Sequence, residues 1–139
     1  QGVLDNGKAL ECFARMVAML GGPLDFAEHP ERYLASAPVS LPFYPMQSGF
    51  VTAMDARAVG VAVVALGGGR SRASDPVDHA VGLTDFSAVG TPADPQQPLA
   101  WVHARDEAAA QQALATLHQA ICIDEQPPEL NPVIIEYIK

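Results

Sequence analysis

At 139 residues the chain is long enough for one domain with a real core, or for a small domain joined to part of another. Its 49% hydrophobic and 17% charged composition is that of a globular chain rather than a disordered one. Sixteen acidic residues against eight basic ones, a formal net charge of −8, argue against a nucleic-acid-binding surface.

No apolar run approaches the ~18–20 residues that a membrane helix needs, and the start carries no signal-peptide pattern. The first residue is Gln1, not an initiator methionine, and the chain enters a helix with no leading strand. The expectation is the tail end of something longer. Cys12 and Cys122 form no CxxC or zinc spacing, so reduced, buried thiols in a cytosolic protein are expected.

The first element, "NGKALECFARMVAML" (residues 6–20), places Leu10, Phe13, Val17 and Leu20 at helical spacing. Asp5 or Asn6 can cap it, and the Gly21-Gly22-Pro23 run stops it. A short helix around 23–28 and a further turn at 30–34 are expected next. The proline-bearing run "SAPVSLPFYPMQSG" (36–49) then reads as an extended crossing or linker, and as the best place for a boundary.

"GFVTAM" (49–54) predicts a strand. Asp55 then caps "ARAVGVAVVAL", where four valines favour a strand, while the cap, the alanines and the stop at Gly67 favour a buried helix. The reading taken is helix. A strand at 79–84 and a better one at 98–104 flank a turn-rich stretch, "DFSAVGTPADPQQ". Asp106 caps a helix over 107–121 with Leu114, Leu117 and Ile121 on one side, and "PVIIEYI" (132–138) reads as the last strand. The order of elements predicts an α+β fold.

Few residues look like chemistry. The stretch "VALGGGRSRASDPVDHAVG" (64–82) has three glycines followed by two arginines. A P-loop requires lysine and a hydroxyl residue directly after its glycines, and Arg70 stands there instead. The loop also follows a helix, whose C-terminal end carries partial negative charge and repels an anion. One reading is therefore a helix stop with a flexible joint; the other gives Arg70 and Arg72 a function. Pairing with Asp75 or Asp78 is the ordinary structural reason for such arginines.

Among the histidines, His118 and Cys122 are four residues apart and would share a helix face, while His79 and His103 fall on strand-like segments. No tight metal motif results, and no metal is expected. The run ahead of the 98–104 strand resembles the hairpin of biotinyl and lipoyl carriers. The only lysines are Lys8 and Lys139, far from it, which excludes a carrier role.

Three segments together carry a stronger likeness: "NGKALECFARMVAMLGGPLDF", "GFVTAMDARAVGVAVVALGGGRSRASDPVDHAVGLTDFSAVG" and "QPLAWVHARDEAAA". In this order they resemble the C-terminal part of the thymidine phosphorylases, within the wider pyrimidine-nucleoside phosphorylase family. The resemblance implies that residues 1–36 end a large α/β domain and that 37–139 form a C-terminal α/β-hammerhead domain. The chain departs from the family in its hairpin, with Gly90-Thr91 and Gln96 where a glycine-aspartate turn and a later glycine are usual.

The reaction so implied is reversible phosphorolysis of thymidine to thymine and 2-deoxyribose 1-phosphate, in pyrimidine salvage in the cytoplasm. Phosphate is a co-substrate and no cofactor is needed. The implied partners are the rest of the phosphorylase chain, a second copy in a homodimer, and the two substrates. Nucleic acid and membrane are not among them. The family's phosphate and pyrimidine ligands precede this segment, so no catalytic residue carries over. The resemblance instead turns the loop of Gly67, Gly68, Gly69, Arg70, Arg72 and Asp75 towards the substrate cleft as a closure element. A stand-alone structural or interaction domain is the alternative.

Overall fold

The computed structural model describes residues 2–129, so the strand expected at 132–138 lies outside the described residues. Contacts divide the chain between Ser36 and Ala37 into two compact units.

In the first unit, helix α1 spans Gly2–Asp5 and α2 spans Lys8–Met19. Gly7 occupies the N-cap of α2, and the Asn6 side chain just before it accepts the amide of Lys8, the first helical residue, at 3.1 Å. The C-terminus stops as expected. Gly21, at φ +85°, lets its own amide reach the Ala18 carbonyl and the Gly22 amide reach that of Val17. This pair of bonds satisfies carbonyls that the helix end would leave open. Residues 24–28 form turns rather than the expected helix, and a single 3-10 turn follows at Pro30–Arg32. No residue of α2 is buried, and Leu10, Phe13 and Met16 keep 45–56% of their surface exposed. Cys12 is exposed too, against the expectation of a buried thiol.

The second unit is α+β, and its described residues form two three-stranded antiparallel sheets and two helices. The strands are β1 (Val39–Phe43), β2 (Gly49–Met54), β3 (Gly82–Thr84), β4 (Pro92–Ala93), β5 (Ala100–Ala104) and β6 (Ile121–Asp124). One sheet runs β1-β5-β3 and the other β4-β2-β6. The supposed linker is therefore partly sheet. Among the described residues β1 pairs only with β5 and so stands at the edge of its sheet, where the missing amide of Pro42 breaks no inner ladder.

Helix α3 (Ala56–Val63) resolves the valine ambiguity: the Asp55 carboxylate accepts the amides of Arg57 and Ala58, both at 3.0 Å. Two satisfied donors at the first turn commit the run to helix. Helix α4 (Glu107–Ala120) starts the same way, on Asp106 accepting from Ala109 at 2.8 Å. It ends one residue earlier than expected, because Ile121 turns to extended geometry and opens β6 at once. The two helices pack on each other, and α4 also packs on β1 and β5. Phe43, Val51, Leu66, Val102 and Leu117 are the largest fully buried side chains between them.

Candidate functional site

The last turn of α3 widens into a π-helical turn over Val64–Gly68, and Gly67 ends it at φ +102°. A side chain at that angle is strained, so glycine is the residue the turn requires. Gly68 is needed for space instead: a Cβ there would lie 3.0 Å from a Val63 methyl and 3.3 Å from the carbonyls of Val63 and Val81. At Gly69 a Cβ would meet a Val64 methyl at 2.7 Å. The three glycines are thus a packed helix stop rather than an open cradle.

Both sides of this stop are tied. The Leu66 carbonyl, orphaned by the helix end, accepts from Arg105 Nη2 at 2.8 Å. The Gly67 carbonyl accepts the Asp78 amide at 2.9 Å, while the Asp78 carboxylate takes the Ala80 amide. The loop therefore leaves and returns at the same point. Between its ends, Asp75 Oδ2 accepts the amides of Arg72 at 2.7 Å and Ser71 at 3.2 Å, and the Asp75 amide bonds back to the Arg72 carbonyl at 3.0 Å. The carboxylate holds the turn from inside.

That arrangement settles where the two sequence-level partners are. Asp75 and Asp78 spend their carboxylates on backbone amides, and neither pairs with a guanidinium among the described residues. Arg70 and Arg72 are exposed, with no ion-pair partner among the described residues. Two cations held on one short, internally braced turn can meet an anion that arrives from outside. Arg105 was not singled out in the sequence. Its signal is faint: one arginine wedged between the last residue of a strand and the N-cap aspartate of a helix.

The histidines are dispersed. Thr84 Oγ1 lies 2.8 Å from His103 Nε2 across β3 and β5, and the His118 ring packs 4.8 Å from that of Phe43. Cys122 is exposed on β6, so it shares no helix face with His118. Among the described residues no three histidines, cysteines or acids gather as a metal site would require, and no helix is long and apolar enough to cross a membrane.

A family model described as the pyrimidine nucleoside phosphorylase C-terminal domain matches residues 50–124. The matched span runs from β2 to the end of β6 and includes the whole glycine-arginine loop with Arg105. It covers more than half of the sequence, and the chain therefore belongs to the pyrimidine nucleoside phosphorylase family through this domain.

Proposed function

We propose that the chain is the C-terminal part of a thymidine phosphorylase, a cytoplasmic, homodimeric pentosyltransferase of pyrimidine salvage. Residues 37–139 are its hammerhead domain and residues 1–36 the end of its large α/β domain. The bare apolar stripe of α2, with Leu10, Phe13 and Met16 exposed, supports a larger domain built against the first unit. Phosphate attacks the anomeric carbon of thymidine as thymine leaves, and positive charge develops on the sugar. The groups that hold phosphate and pyrimidine belong to the preceding part of the enzyme. No cofactor or metal enters the reaction.

The segment's own contribution is closure of the cleft. The observation that carries this reading is the pair Arg70 and Arg72, exposed and, among the described residues, without carboxylate partners, on a turn braced by Asp75. On closure they meet the phosphate-bearing side of the substrates. Contacts of this kind, formed only in the closed state, complete the site and exclude water, so they act on turnover.

In the phosphorylase that carries this chain, replacing both arginines by alanine should lower kcat/KM for thymidine tenfold to a hundredfold, about 1.4–2.7 kcal/mol. The melting temperature should hardly move, since exposed cations contribute little to folding. Unchanged kinetics would reduce the loop to a helix stop. Running the same assay with uridine tests the choice of thymidine.

A further inference from the structure

We infer that Arg105 is a positioning residue: it pins the root of the Gly67–Asp78 loop to the sheet, and so sets where Arg70 and Arg72 are presented. This rests on the closure reading for its catalytic consequence, though not for its structural one.

The geometry is a three-way junction. Leu66 is fully buried, so the residue from which the loop departs is fixed in the core. Its carbonyl, at the helix end, accepts from Arg105 Nη2 at 2.8 Å in a half-buried position. Immediately after it, Gly67 turns through φ +102° and its carbonyl accepts the Asp78 amide at 2.9 Å, which brings the returning chain to the same spot. A Cβ at Gly67 would sit 2.1 Å from Arg105 Nη2 and 3.8 Å from the Asp78 Cβ. The guanidinium thus lies in the space that the glycine leaves open.

Arg105 is itself firmly held. It follows β5, the central strand of its sheet, whose Ala100, Val102 and Ala104 are buried, and it precedes Asp106, the N-cap of α4. A long cation from this rigid corner to a helix C-terminus also meets the partial negative charge of the last carbonyls. Nothing else among the described side chains bonds to the Leu66 or Gly67 carbonyl. Without the pin, the junction keeps the Asp78 amide bond alone, and the loop can swing about Gly67.

Native-state trypsin cleavage reads this directly, because Arg70 and Arg72 are exposed trypsin sites within the loop. In the 139-residue chain, Arg105→Gln should speed cleavage after Arg70 and Arg72 about fivefold to tenfold, followed by mass spectrometry. Arg105→Lys, which keeps a donor and a charge, should restore much of the protection. Arg57→Ala, on α3 and remote from the junction, should leave the rates unchanged. Should Arg105→Gln unfold, hydrogen exchange at the Asp78 amide decides: it should be slow in the parent chain, nearly as slow in Arg105→Lys, and faster in Arg105→Met, which keeps the length of the side chain and loses the donor.

In the phosphorylase, Arg105→Gln should lower kcat more than it raises KM. Loop cleavage and Asp78 exchange that ignore residue 105 would overturn the pin. Faster cleavage with an Arg70/Arg72 double variant of normal turnover would leave the pin standing and sink the closure reading alone.

Discussion

The carboxylate of Asp75 accepts the amides of Ser71 and Arg72, and those of Asp55 and Asp106 cap α3 and α4 in the same way. In the first unit Asp25 does something different, taking the Tyr33 hydroxyl and the Arg32 guanidinium. The Tyr33 bond, above all, holds the Asp25 carboxyl below the usual aspartate range, and the same bond raises the Tyr33 phenol above its ordinary value. The signs give a window bounded on both sides. The lowered aspartate pKa is a contribution present above its unfolded value and lost as pH falls through the folded one. The raised tyrosine pKa is a contribution present below its unfolded value and lost as pH rises through the folded one. A carboxyl-carbon NMR titration should find the Asp25 midpoint depressed, and Tyr33→Phe should return most of the shift. Neither group changes protonation state between these limits, so this pair should leave the melting temperature flat there.

At the scale of elements, what the sequence announces are the starts of helices. Asp55 and Asp106 sit where their amides demand, and Gly21 stops α2 as the glycine run implied. β6 escaped because Ile121 continues the apolar stripe of α4, and a stripe does not show where the backbone leaves the helix. β1 escaped because prolines read as linker until the strand is known to be an edge. In the loop, the glycine stop was readable from residues 67–69, whereas the ties to Arg105 and Asp78 join positions far apart in sequence, which no local pattern encodes.

Glycines outside the loop separate the same two causes, angle and space. Gly49 opens β2 at φ +154°, and a Cβ there would lie 2.4 Å from the Asp124 carbonyl oxygen. Gly49→Ala should therefore cost on the order of 1–3 kcal/mol. Gly60, in α3, has nothing within 4 Å of an added Cβ, and Gly60→Ala should stabilise by about 0.5–1 kcal/mol. Urea unfolding of both variants checks the pair, and a common sign would refute the distinction.

For the whole molecule, the isolated chain should fold but release no thymine from thymidine and phosphate. Activity clearly above a blank would place catalysis inside these 139 residues. Its net charge of −8 opposes self-association, so light scattering at micromolar concentration and low salt should report a monomer. Salt screens that charge and leaves the exposed apolar stripe of α2 uncompensated, so the apparent mass should rise with ionic strength. A dimer already stable at low salt would contradict this.

The strand pairing of the second unit bears on how it comes into being. Val39 pairs with Ala104, and Phe50 with Asp124, so each sheet waits for a partner from the far end of the unit. Distant pairings must close large loops before any ladder bond rewards them, which slows folding towards the millisecond-to-second range. During synthesis, β1 and β2 leave the ribosome long before β5 and β6 exist, with their edges open and Phe43 and Val51 uncovered. Neither sheet can close before its later strand has been made, and the interval before that is when a chaperone would be of most use to the unit.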